Sequence, residues 1–157
     1  MNHPPTVKAA RIVGPLTVEI DWSTSETLRV DLRKLTAAPF DALLDPAFFS
    51  RMEVDAWGAG LDWPGGLDLG ADRLYELGRE QAGLPTPSGF NAWMSRNGLS
   101  LATAAEALGM TRRMIAHYRT GSRPISKAIG LACLGWEAQR ARPRRKPKPA
   151  RRREAHA

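Results

Sequence analysis

At 157 residues and 43% apolar content, the chain can bury the core of one ordinary domain or two small ones. Its single cysteine, Cys133, excludes an internal disulfide or a thiolate metal cage, and its apolar runs fall short of the ~18 residues that cross a bilayer. The net charge of +7 is unevenly divided: residues 1–87 hold 8 Lys+Arg against 13 Asp+Glu, residues 88–139 hold 6 against 2, and residues 140–157 hold 9 against 1. This asymmetry directs only the C-terminal half toward a polyanion.

The opening "MNHPPTVKAA" has no charged head followed by an apolar stretch, so a cytoplasmic protein is expected. The stretches "VKAARIV", "LTVEIDW" and "TLRVDL" are rich in β-branched residues and broken by Gly14-Pro15 and Ser23-Thr24-Ser25, which predicts a three-stranded antiparallel meander. "FDALLDPAFFS" clusters apolar residues, with Pro46 suited to a helix first turn, and predicts a helical insert. Alternation resumes in "RMEVDAW", and "GAG" turns the chain into "LDW" before "PGG" stops it, a second hairpin. Residues 72–82 then form a helix carrying Leu74, Leu77 and Gly78 on one face. Residues 1–82 are thus expected to be an α+β domain, a small antiparallel sheet with short helices, followed by a linker at 83–88.

From Ser88 the pattern changes to short helices separated by single glycines. "FNAWMSRNG" carries Phe90, Trp93 and Met94 at helical spacing and ends at Asn97-Gly98. Ser100 opens "LATAAEALG", Thr111 opens "RRMIAHYRTG" with Ile115 and Tyr118 inward, and residues 126–139 carry Ile129, Ala132, Cys133 and Trp136. Cys133 reads as a small buried hydrophobe. An all-α domain over 89–139 is expected, and beyond it "ARPRRKPKPARRREAHA" has no apolar period, so 140–157 is expected to be a disordered polybasic tail.

Two short helices joined by a tight turn, the first rich in Ala and the second basic at its start, are the parts of a helix-turn-helix. Ala105 is small where the helices approach, Gly109 takes the turn, and Leu108, Met110, Ile115 and Tyr118 supply apolar contacts. On these residues, notably "GLSLATAAEALGMTRRMIAHYRTGSRPI", the stretch 90–136 resembles the lambda-repressor-like, or XRE-type, family of DNA-binding domains. The resemblance implies that the third helix enters the major groove of double-stranded DNA. It implies base-reading roles for Arg112, Arg113, Ala116 and His117, and phosphate contacts for Thr111, Arg119, Ser122 and Arg123. It also implies a homodimer, because such repressors read two half-sites about one helical turn apart. The family often has Glu where Arg119 stands, paired with an Arg where this chain has Met94; without that pair, Arg119 is expected to be free to face DNA.

The physical case for Arg112 and Arg113 is independent of any family. Cations in a helix's first turn face the positive end of its dipole, a penalty of about 0.3–1 kcal/mol each at an exposed site. A local conflict of this kind is where function is often found, and arginine's planar fork suits guanine O6 and N7. In the tail, Arg144, Arg145, Lys146, Arg151, Arg152 and Arg153 would add phosphate contacts without sequence information, with RNA, an anionic lipid surface or simple solubility as the competing readings.

The N-terminal part, especially "AFFSRMEVDAWGAGLDWPGGLDLGADRLYELG", resembles the bacterial family known as domain of unknown function 2442 over about residues 7–82. The whole chain then resembles an arrangement of that domain followed by a repressor-type helix-turn-helix. No chemistry is assignable to the first part. Asp62, Asp68 and Asp72 are better explained by turns and helix caps than by a metal, and Trp22, Trp57 and Trp63 by core or hairpin packing. His3, His117 and His156 lie near no carboxylate pair or nucleophile in sequence, so neither an enzyme nor a cofactor is expected. The leading expectation is a transcriptional regulator. An antitoxin-like or adaptor protein, binding a protein partner through its acidic first domain, is the alternative.

Overall fold

The computed structural model describes residues 3–35 and 37–142. Strands β1 (Val7–Gly14), β2 (Thr17–Trp22) and β3 (Thr27–Asp31) form the expected meander in the order β1-β2-β3. Its register sets Val18 opposite Val30 and Ile20 opposite Leu28, all buried, because alternate residues share one face of a strand. The outer face carries Arg11 to Glu19 at 2.6 Å, Arg11 to Asp21 at 3.1 Å and Arg29 to Glu19 at 3.0 Å. These exposed pairs fix register more than they stabilise.

The helical insert is two short turns, a 3₁₀ segment Phe40–Leu44 and helix α1 (Pro46–Phe49), the latter capped by Asp45 accepting from the Ala47 amide. The second hairpin, β4 (Glu53–Val54) and β5 (Gly60–Trp63), gains a strand the pattern did not announce, β6 (Leu67–Gly70). Pro64-Gly65-Gly66 turns the chain back instead of ending the sheet, and four residues are too few for alternation to stand out. Asp62 and Asp68 consequently lie opposite each other on strands, not in turns or caps, while Asp72 occupies the first turn of helix α2 (Ala71–Gln81). Trp22 and Trp63 are core residues, but Trp57 on the β4–β5 loop is 88% exposed, which corrects its expected packing role. Loop geometry, not hydrophobicity, decides that position: the Asp55 carboxylate accepts from the Trp57 and Ala59 amides and holds the loop open to water.

Helix α2 lays Leu74, Tyr75 and Gly78 on the first sheet, with Leu77 only half-buried. Gly78 is needed there: a Cβ would sit 3.1 Å from Leu28 Cβ and 3.3 Å from Val30 Cγ2. The first core gathers both sheets and this helix, with Trp22 edge-on to Tyr75 at 5.1 Å.

Four helices follow: α3 (Pro87–Arg96), α4 (Leu101–Leu108), α5 (Arg112–Thr120) and α6 (Lys127–Ala141). Pro87 and Ser88, expected in the linker, form the first turn of α3 because Thr86 caps it. The helix α6 also runs two residues past its expected end, so Arg140 and Ala141 are helical; the rest of the expected disordered tail, from residue 143, lies outside the described residues. A second core of Phe90, Trp93, Met94, Ala104, Ala105, Ile115, Tyr118, Ile125 and Cys133 holds these helices together.

The two cores are joined through Arg79, which is 3% exposed. Its Nε donates to Pro85 O at 2.9 Å, one terminal nitrogen to Glu26 Oε2 at 2.6 Å, and the other to Ile125 O between α5 and α6. Glu76 accepts from the Ser88 amide and hydroxyl, both at 2.8 Å, and adds a second tie.

Candidate nucleic-acid interface

The basic helix α5 is held from both ends and from below. Ser100 and Thr103 form a reciprocal capping box at the start of α4, and Gly109, at φ +65°, ends that helix in the left-handed region open to glycine. Thr111 then starts α5, its hydroxyl accepting from the Met114 amide at 3.2 Å. Gly121, at φ +77°, ends α5, with Pro5 and Pro87 packed against it so closely that a Cβ would meet Pro87 Cγ at 3.0 Å. Ile115 and Tyr118 face the core as expected, and Phe90 meets Tyr118 edge-on at 5.6 Å.

The opposite face is cationic. Arg112 and Arg113 are exposed in the first turn with no acidic residue beside them on the helix, and Ala116, half-buried, leaves the surface between them low. Arg119 and Arg123 are exposed at the far end. Among the described residues none of these four arginines makes an ion pair.

Several expected contacts are otherwise engaged. His117 does not point outward: it is 8% exposed, with Nδ1 2.7 Å from Ser122 Oγ. Its position, one turn after Arg113, suggests the outer face, but the chain turns at Gly121 and folds Ser122 over the ring. Burial first, then Arg123 and Arg113, hold the imidazole pKa below its ordinary value, which favours the neutral ring. Ser122, half-buried, also accepts from Thr120 Oγ1 at 3.0 Å, whereas Thr111 is exposed and only accepts in its cap, which leaves its hydroxyl proton to donate. Arg119 is exposed but tethered: its Nε donates to Asn91 Oδ1 at 2.8 Å, and Asn91 Nδ2 returns a bond to Arg119 O at 2.9 Å. Asn91, missed in the sequence, ties α3 to α5, while Met94 is buried in the core. Only proximity across 28 residues makes that pair, so no local pattern announces it. Arg144, Arg145, Lys146, Arg151, Arg152 and Arg153 lie outside the described residues.

Among the described residues no cluster of three or more His, Cys, Asp or Glu is arranged to hold a metal, and no helix is long and apolar enough to cross a membrane.

Residues 7–80 match the family described as protein of unknown function (DUF2442). A crystal structure described as that of a "Putative DNA Binding Protein" from Nitrosomonas europaea ATCC 19718 is 39% identical, with a TM-score of 0.75. The alignment covers 94% of this chain and 100% of that one. No curated protein matches.

Proposed function

Residues 7–80 of the chain belong to the DUF2442 family of proteins of unknown function, and, since that membership names no activity, we propose that the protein is a double-stranded-DNA-binding transcriptional regulator. On this reading α4 and α5 are a helix-turn-helix of the lambda-repressor-like kind, and α5 is its recognition helix. The observation that carries the reading is the pair Arg112 and Arg113: exposed, without an ion-pair partner among the described residues, and set where the helix dipole disfavours cations. A helix that accepts this cost on a rigid two-sided mount presents a guanidinium pair to phosphates or guanine edges. The description of the Nitrosomonas europaea protein supports the same ligand class.

Base reading is assigned to Arg112 and Arg113 across the low surface at Ala116, and phosphate contacts to Thr111, Arg119, Arg123 and the tail. His117 and Ser122 support the turn instead. We propose a homodimer, each protomer reading one half-site, acting in the cytoplasm without a cofactor or catalytic chemistry. Selection from random duplex DNA tests this. A consensus should enrich, and Arg112→Ala with Arg113→Ala should abolish it, each lost bidentate contact relaxing discrimination by about 1–3 kcal/mol. Truncation after Arg142 should lower affinity and flatten its dependence on salt while sparing the consensus. Absence of any enriched sequence, or enrichment indifferent to both arginines, refutes base reading.

A second reading, an adaptor or antitoxin-like protein that binds a protein partner, is favoured by Trp57, 88% exposed on the acidic half of the chain. Partner capture lost on Trp57→Ser, together with no DNA retention at low salt, would decide for it.

A further inference from the structure

A cleft of about 330 Å³ opens between the connection Gly83–Thr86, helix α3 and helix α6, at the lower end of the ~300–1,000 Å³ common for small-molecule sites. Its walls are apolar: Leu84 and Pro85 on one side, Phe90 and Trp93 at the base, Leu131 and Leu134 on the other. The two α6 leucines are 59% and 62% exposed, an unusual outlay of apolar surface beside an open cleft. Gly130 allows the walls to approach, since a Cβ there would lie 2.5 Å from Pro85 Cγ. Burial pushes the Cys133 thiol up to about 11, so this lining residue stays neutral.

Among the described residues, the charged side chains lining the cleft are both cations, Arg96 and Lys127. Arg96 is paired with Glu137 at 2.5 Å. Lys127, exposed in the first turn of α6, has no ion-pair partner among the described residues, and no carboxylate lines the cleft. We infer that this cleft binds an amphipathic carboxylate, its apolar body between Leu84, Trp93 and Leu131 and its anionic head at Lys127. An apolar trough with an unmatched cation at one end complements a molecule that is apolar along its length and negative at its tip. The inference does not rest on DNA reading, because Arg112, Arg113, Arg119 and Arg123 are not among the lining residues.

The test uses the full chain without DNA, titrated by calorimetry with decanoate below its micellar range, and in parallel with decanol and decylammonium. Saturable one-to-one binding of decanoate, weaker binding of decanol and none of decylammonium are expected. Lys127→Glu should weaken decanoate about tenfold while leaving decanol unchanged. Because Lys127 is exposed, this variant should fold as the parent does, which an unchanged melting curve verifies. Leu131→Asp should remove binding of decanoate and decanol alike. Absence of saturable heat, equal binding of decylammonium, or decanoate binding untouched by Lys127→Glu overturns the inference. So does concentration-dependent dimerisation that Leu131→Asp abolishes in a chain that binds no decanoate, since the cleft would then be covered by a second copy.

Discussion

Replacing Arg79 by methionine keeps the aliphatic packing but removes three hydrogen bonds that converge from Glu26, Pro85 and Ile125. Deleting one partner of a buried ion pair commonly costs about 3–5 kcal/mol, because the remaining charge is left without compensation. Glu26 is not wholly abandoned: its side chain is 17% exposed, and it still accepts from Tyr75 at 2.5 Å and Thr24 at 2.9 Å. That reduces the charge penalty, while two backbone carbonyls losing their donors add about 1 kcal/mol each. The expected loss is therefore about 3 kcal/mol, a large part of the roughly 5–15 kcal/mol typical of a folded domain. Urea unfolding followed by tryptophan fluorescence measures it. A cycle with Glu26→Gln separates the pair from general disruption, and a coupling of at least about 1 kcal/mol is expected for groups in direct contact. A loss below about 1 kcal/mol for Arg79→Met, or strict additivity of the two substitutions, refutes the reasoning that this network binds the two cores into one cooperative structure.

Gly78→Ala should destabilise, although helix propensity alone predicts a gain of about 1 kcal/mol, because the new methyl meets Leu28 and Val30 at 3.1–3.3 Å; a raised melting temperature would contradict this. His117 makes stability depend on pH in a defined direction. Its folded pKa is depressed from 6.5 by burial and by Arg123 and Arg113, so on acidification the unfolded chain takes up the proton first. Its contribution is complete above about pH 6.5 and is lost as pH falls toward the lower folded value, so His117→Asn should flatten the stability profile between pH 7.5 and 5 relative to the parent. A parent profile no steeper than the variant's would show that the imidazole is not held neutral.

Local patterns carried much of this molecule. The alternation in "TVEIDW" specifies a half-buried strand wherever it is placed, and Ser100, Thr111, Gly109 and Gly121 specify where α4 and α5 start and stop, because caps and left-handed turns are decided within a few residues. The exposed Arg112 and Arg113 were legible for the same reason: a helix's first turn and its charges are local facts. Strand β6 was not legible, since a four-residue strand is recognised only by the partner it pairs with. Nor was the fate of His117 or Arg119, whose partners Ser122 and Asn91 are brought up by a turn and by another helix.

Sequence by itself therefore determined the order of elements other than β6, the acidic-to-basic division and the cationic start of α5. Tertiary structure alone decided which polar side chains remain available. Arg79, an ordinary helix cation by pattern, became the buried joint between the cores; Trp57, an expected packing residue, was left in water; and Gly130 became the point at which Pro85 closes on α6. Hydrogen bonding and close packing are satisfied by whatever lies nearby in space, and for these residues the neighbours come from distant parts of the chain.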